Sequence, residues 1–260
     1  MSSSSSSSFT SAASISTSTP PIDILGDGGH WKLGKATKLM FAAASGSLRT
    51  LEKVLRQGAR VDVKNELGFT AMHFAAKAKN DNSDVIKELV RQGLSVNIRA
   101  KGKWCEEMQT DDGFTPLHLV ESAGSTATLI ELGADPDDFG LASDGREQGT
   151  CTFFAAANNK APVLKVLLDT GRAGISGSFC WWAAKFGHVE VVKVLLEYGH
   201  FDLGFVREKQ TIAQIAFESG HRQRLRNKCN EIIKLLNEAG APDEKPPDAL
   251  GPVYGVLYPY

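Results

Sequence analysis

The residues best equipped for chemistry are few and scattered. His73 and His118 hold equivalent places in two similar stretches, FTAMHF and FTPLHL. A histidine titrates near neutrality and can serve as a general base or a metal ligand. Cys105 lies beside Trp104 and is followed by Glu106 and Glu107. Adjacent carboxylates raise a thiol's pKa, the wrong direction for a nucleophile. Asp135, Asp137 and Asp138 crowd carboxylates together without the spacing of a calcium loop. The sequence contains no GxSxG, HExxH, GxxxxGK(S/T) or GxGxxG. Cys105, Cys151, Cys180 and Cys229 form no CxxC pair. The expectation is a chain with no catalytic residue, no metal and no cofactor.

The elements that must position any working residue recur along the chain. Six apolar stretches end in a glycine: Gly58, Gly93, Gly133, Gly171, Gly199 and Gly240, at spacings of 35, 40, 38, 28 and 41. Each is preceded by a second signal, such as MFAAASG (40–46), FFAAANN (153–159) or WWAAKFG (181–187). From Met40, Phe153 and Trp181 the step to the closing glycine is 18 residues. That distance fits two short helices. Alanines in the first let a neighbouring backbone approach, and Val, Leu and Ile recur at helical spacing in the second. The glycine supplies a left-handed helix end without steric cost.

The stretches GFTPLHLVESAG…LIELGAD and GFTAMHFAAKA…LVRQGLSVN resemble ankyrin repeats, and GHVEVVKVLLEYG (187–199) matches closely in its second helix. The resemblance covers residues 37–242. It implies an all-α solenoid of helix-turn-helix units joined by β-turn loops. Thr115 is placed to cap a helix whose first turn holds Pro116. Repeats are expected near 37–67, 68–100, 110–135, 149–173, 177–202 and 210–242. In the family the His of TPLH is structural, which is the competing reading of His73 and His118. Met40, Phe153, Trp181 and Gln214 replace it elsewhere. Residues 99–111 form an insertion between repeats two and three.

The resemblance also assigns a concave binding surface, to turn tips and to residues just after the Ala-Ala pair. Here these positions are Glu66, Leu67, Phe69, Lys77, Asp111, Asp112, Phe114, Ser122, Asn158, Lys185, Phe186 and Glu218. Phe69, Phe114 and Phe186 are expected as exposed aromatic anchors rimmed by charge. Their alternative is cover by loops or by the C-terminal tail. Trp104 in the insertion and Trp182 join the expected partner-binding set. Trp181 and Trp182 are about 100° apart on a helix, so only one can face the core squarely.

Composition sets the remaining bounds. The 260 residues carry a net charge of -1, with 42% hydrophobic and 23% charged residues. No global positive charge favours nucleic acid or an anionic membrane. Residues 100–150 hold eleven acidic against three basic groups, and 205–234 seven basic against three acidic. Residues 1–30, rich in Ser and Thr, are expected to be disordered, and 243–260 form a Pro- and Tyr-rich tail. The repeats are expected to act as a monomeric, cytoplasmic adaptor or scaffold that binds another protein without catalysis. One alternative is a transcriptional co-regulator or inhibitor docked on a DNA-binding partner, nuclear through Arg222, Arg224 and Arg226. Another is an enzyme or small-molecule binder with a pocket between the insertion, Trp182 and the tail.

Overall fold

The computed structural model describes residues 36–103, 109–110, 113–141, 148–199, 202–207, 210–221 and 224–241. The two expected tails, and Trp104, Cys105, Asp111 and Asp112 of the insertion, lie outside them. Among the described residues are twelve helices, in order α1 Lys38–Ala44, α2 Leu48–Arg56, α3 Ala71–Ala76, α4 Ser83–Arg91, α5 Pro116–Leu119, α6 Ala123–Glu131, α7 Cys151–Ala157, α8 Ala161–Asp169, α9 Gly177–Phe186, α10 Val189–Tyr198, α11 Ile212–Gly220 and α12 Arg226–Glu238. Odd-numbered helices pack on one another in chain order, and so do even-numbered ones. The result is the ankyrin solenoid, a two-layer stack in which each unit touches its neighbours.

Three antiparallel hairpins join later units: β1 Gly102–Lys103 with β2 Gln109–Thr110, β3 Phe139–Leu141 with β4 Gln148–Thr150, and β5 Val206–Arg207 with β6 Gln210–Thr211. All six closing glycines have φ between +50° and +94°. That left-handed region is costly for a side chain, so glycine is what allows each second helix to end there.

Helix starts explain the variation at the TPLH histidine. In α3, His73 Nδ1 accepts the Thr70 N–H at 3.1 Å. In α1 the Met40 sulfur does the same for Thr37 at 3.3 Å, and in α11 Gln214 Oε1 does so for Thr211 at 3.0 Å. Three different acceptors therefore complete the same capping arrangement. Phe153 and Trp181 offer no acceptor, and the units that carry them build an aromatic cluster instead.

The turn between the two helices of a unit is tied to the preceding unit. Asn82 Nδ2 donates to the Ala43 carbonyl at 3.1 Å, and the Glu121 N–H to Ala76 at 3.2 Å. Lys160 Nζ donates to Val120 at 2.9 Å, and His188 Nε2 lies 3.1 Å from the Ala157 oxygen. Each donor satisfies a carbonyl at a helix end, where helical partners run out. The ladder aligns the odd layer, whose exposed side carries the groups described next.

Candidate protein-binding surface

The exposed aromatic surface is centred on α9. Trp181 is fully buried, whereas Trp182, one position on, is half-buried. Phe186, one turn further, is 42% exposed. The Trp182 and Phe186 rings stack at 5.6 Å with 11° between planes, and Phe186 stacks on His188 at 5.9 Å. Phe153 supports Trp182 edge-on from α7 at 6.5 Å.

Cations cover the indoles. Lys185 Nζ lies 4.7 Å from the Trp181 ring and 5.1 Å from that of Trp182. The Arg207 guanidinium, on β5, lies 5.7 and 5.2 Å from the same two rings. Cations over indole faces are attracted by the ring quadrupole. Arg207 thereby clasps the hairpin of the last unit onto the helix of the unit before. Neither indole N–H finds an acceptor among the described residues.

Structure corrects several expected contact residues. Phe69 is 3% and Phe114 1% exposed, so neither is a surface anchor. Each precedes the extended Thr that caps its helix, which turns the ring back toward the helix it introduces. Phe69 meets His73 at 5.2 Å, and Phe114 meets Phe154 edge-on at 4.9 Å. Leu67 is half-buried against the core, while Glu66 is exposed. Asn158 caps its own helix by donating to the Phe154 carbonyl at 2.9 Å. Ser122 caps α6, and Glu218 is exposed on α11.

Lys77 is also buried, in an ion triad. Its Nζ lies 2.7 Å from Glu121 Oε1, and Lys160 Nζ lies 3.1 Å from the same oxygen. Burial alone would raise the Glu121 pKa, but the two ammonium groups together hold it below the usual carboxylate value. Burial pushes Lys160 down to about 8, against the pull of Glu121. No local signal in the sequence announces this triad, because its members lie about forty residues apart in neighbouring units.

The two histidines do structural work. The His73 N–H at Nε2 points at the Phe114 carbonyl, 3.0 Å away, and joins the second unit to the third. His118 Nδ1 accepts the Thr115 N–H at 3.2 Å, and its ring faces Gly140 of the next hairpin. Burial drives His73 down to about 4 and His118, beside the Arg99 guanidinium, down to about 3. Both are neutral at pH 7. Burial raises the Cys180 thiol to about 12 and the Cys151 thiol well above its usual range, away from nucleophilic chemistry. No group of three or more His, Cys, Asp or Glu side chains among the described residues is arranged to hold a metal. No described helix is long and apolar enough to cross a membrane.

The described residues thus form a stack of helix pairs that carries an exposed aromatic and cationic patch on α9. A family model described as ankyrin repeats in three copies matches residues 39–140, and one described as ankyrin repeat matches 180–205. The chain is an ankyrin-repeat protein. It is 32% identical over 169 residues to ankyrin repeat and SOCS box protein 3 of Bos taurus, covering 61% of this chain and 29% of that protein. It is 28% identical over 198 residues to human transient receptor potential cation channel subfamily A member 1, covering 61% of this chain and 17% of that one. The chain thus spans under a third of the curated relatives it matches. Its fold resembles the human ASB11 ankyrin repeat domain, with a TM-score of 0.59 at 22% identity, over 80% of this chain and 85% of that one. A chain from the complex of the Bdellovibrio bacteriovorus predatory endopeptidase Bd0816 with immunity protein Bd3460 matches with a TM-score of 0.52 at 21% identity, over 78% of this chain and 98% of that one.

Proposed function

We propose that this chain is a non-catalytic adaptor that binds another protein through the exposed side of the odd helix layer, with its centre at α9. The observation that carries the reading is Phe186, a large aromatic left 42% exposed yet held by stacking on both sides. Ordered, partly exposed aromatics edged by cations are the usual composition of an interface centre. That ankyrin repeats generally mediate protein–protein interaction supports the reading. The test is capture from a cell lysate by the full chain, compared with Phe186→Glu and with Lys87→Glu on α4 of the other layer. Proteins lost with Phe186→Glu and retained with Lys87→Glu are expected. Equal loss with both variants, or with neither, sinks the reading.

A further inference from the structure

We propose that the surface around Phe186 takes an extended acidic segment of a partner protein, with one large apolar side chain against the exposed edge of Phe186 and carboxylates on the cations at either side. The inference rests on the binding reading above and adds the partner's chemistry.

Two features beyond the exposed aromatic point to negative charge. The ring row Trp182–Phe186–His188 is bounded by cations at both ends. At one end are Lys185 and the exposed Arg207, over the Trp182 face. At the other, Gly187 packs against Leu225 and Lys228, at the start of α12. Arg224, Arg226 and Lys228 are all exposed there. Among the described residues, Glu190 and Glu231 are both held by Lys193, each at 2.9 Å, and Glu218 is exposed on α11.

The second feature is the start of α12 itself. Helices α1, α2, α6, α7 and α11 begin at a Ser or Thr whose side chain accepts a backbone N–H. α12 begins at Leu225 with no side-chain cap, has no acidic residue in its first turn, and places Arg226 and Lys228 there. Helices α4, α8 and α10 also begin without a side-chain cap, but α4 and α10 carry an acidic residue, Asp84 and Glu190, in the first turn. A helix N-terminus already carries partial positive charge, so basic residues in its first turn are the unfavourable sign. Local rules broken without internal compensation concentrate at functional sites. An acidic segment would relieve the crowding of like charges, and an apolar group on Phe186 would give it register.

The steps from Arg207 to Trp182, to Phe186 and to His188 are 5.2, 5.6 and 5.9 Å. An extended chain of about five residues covers that path. The recognised unit is therefore a short linear segment.

The test is selection of peptides from a random linear phage-displayed library on the full chain, followed by anisotropy titration of the best labelled peptide. Acidic peptides with one aromatic or large aliphatic residue are expected. Phe186→Ala should weaken the selected peptide about tenfold or more. Arg207→Glu should weaken it strongly at low salt and less at high salt, while Arg207→Lys retains most of the affinity. Neutral or basic peptides that still depend on Phe186 overturn the acidic partner and leave the binding surface standing. Peptides indifferent to both Phe186→Ala and Arg207→Glu overturn the surface as well. Enrichment only after Tyr254, Tyr258 and Tyr260 are changed to Ser makes the chain's own tail the occupant. Self-association abolished by Phe186→Ala makes it a second copy. Either result, or no enrichment at all, overturns the proposal.

Discussion

At the scale of single residues, the buried histidines make the fold sensitive to acid. His73 has a folded pKa of about 4, below its ordinary 6.5. As pH falls below 6.5 the unfolded chain takes up the proton first, so stability declines from 6.5 down to about 4 and is complete only above that window. At about pH 5 this one residue removes about 2 kcal/mol relative to pH 7. Gln214 already shows that a glutamine can close the same cap. His73→Gln should therefore keep the N-terminal cap and lose its own share of the pH dependence, leaving that of His118. The Phe114 carbonyl keeps the Ala100 N–H as a donor at 3.0 Å, so the cost at pH 7 is about 1 kcal/mol. Urea denaturation of both proteins at the two pH values checks this. An unchanged pH dependence in the variant would mean that His73 contributes nothing to the acid sensitivity.

Between elements, the strongest electrostatic commitment is the triad of Lys77, Glu121 and Lys160, which links the turns after α3, α5 and α7. Removing one member of a buried charge set leaves the others uncompensated, at about 3–5 kcal/mol. Glu121→Gln strands two ammonium groups and should show that cost in chemical denaturation. Changing all three, to Met at 77 and 160 and Leu at 121, should recover most of it. A cost below about 1 kcal/mol would mark the triad as an ordinary surface pairing. This junction also shows what the sequence could announce. The two-helix unit, its closing glycine and the Thr-Pro helix start are local, so they were legible from residue type and spacing. Pairings such as Lys77 with Glu121, or Arg207 with Trp182, join positions in different units, so spacing within a unit carries no trace of them. Phe69 and Phe114 misled for a related reason. Their place beside turn tips suggested exposure, yet the extended residue before a helix cap alternates back into the core. Trp181 and Trp182 were separable by the angle between helix neighbours alone.

Over the whole molecule, stability is approximately a sum of units and nearest-neighbour interfaces, because the described helix pairs pack chiefly on their neighbours. The interfaces are unlike one another. Units one to three close their helix starts with His or Met acceptors, whereas α9 joins α7 through a cluster of rings and the last unit through Arg207 over its indoles. Trp181 is the largest fully buried side chain among the described residues. Trp181→Ala should cost about 3–5 kcal/mol, and the loss falls on one end of the stack, not on the whole of it. Hydrogen exchange followed segment by segment is the measurement. In the variant, amides of α9 to α12 should exchange well before those of α1 to α4, with helices α5 to α8 intermediate. The wild-type chain should show a smaller spread. Uniform acceleration along the chain would mean that the stack unfolds as one cooperative block, and that the aromatic cluster stabilises distant units as much as its own. Since the cluster and the exposed Phe186 share α9, the predicted gradient also puts the proposed binding surface at the end of the solenoid whose order depends most on a single side chain.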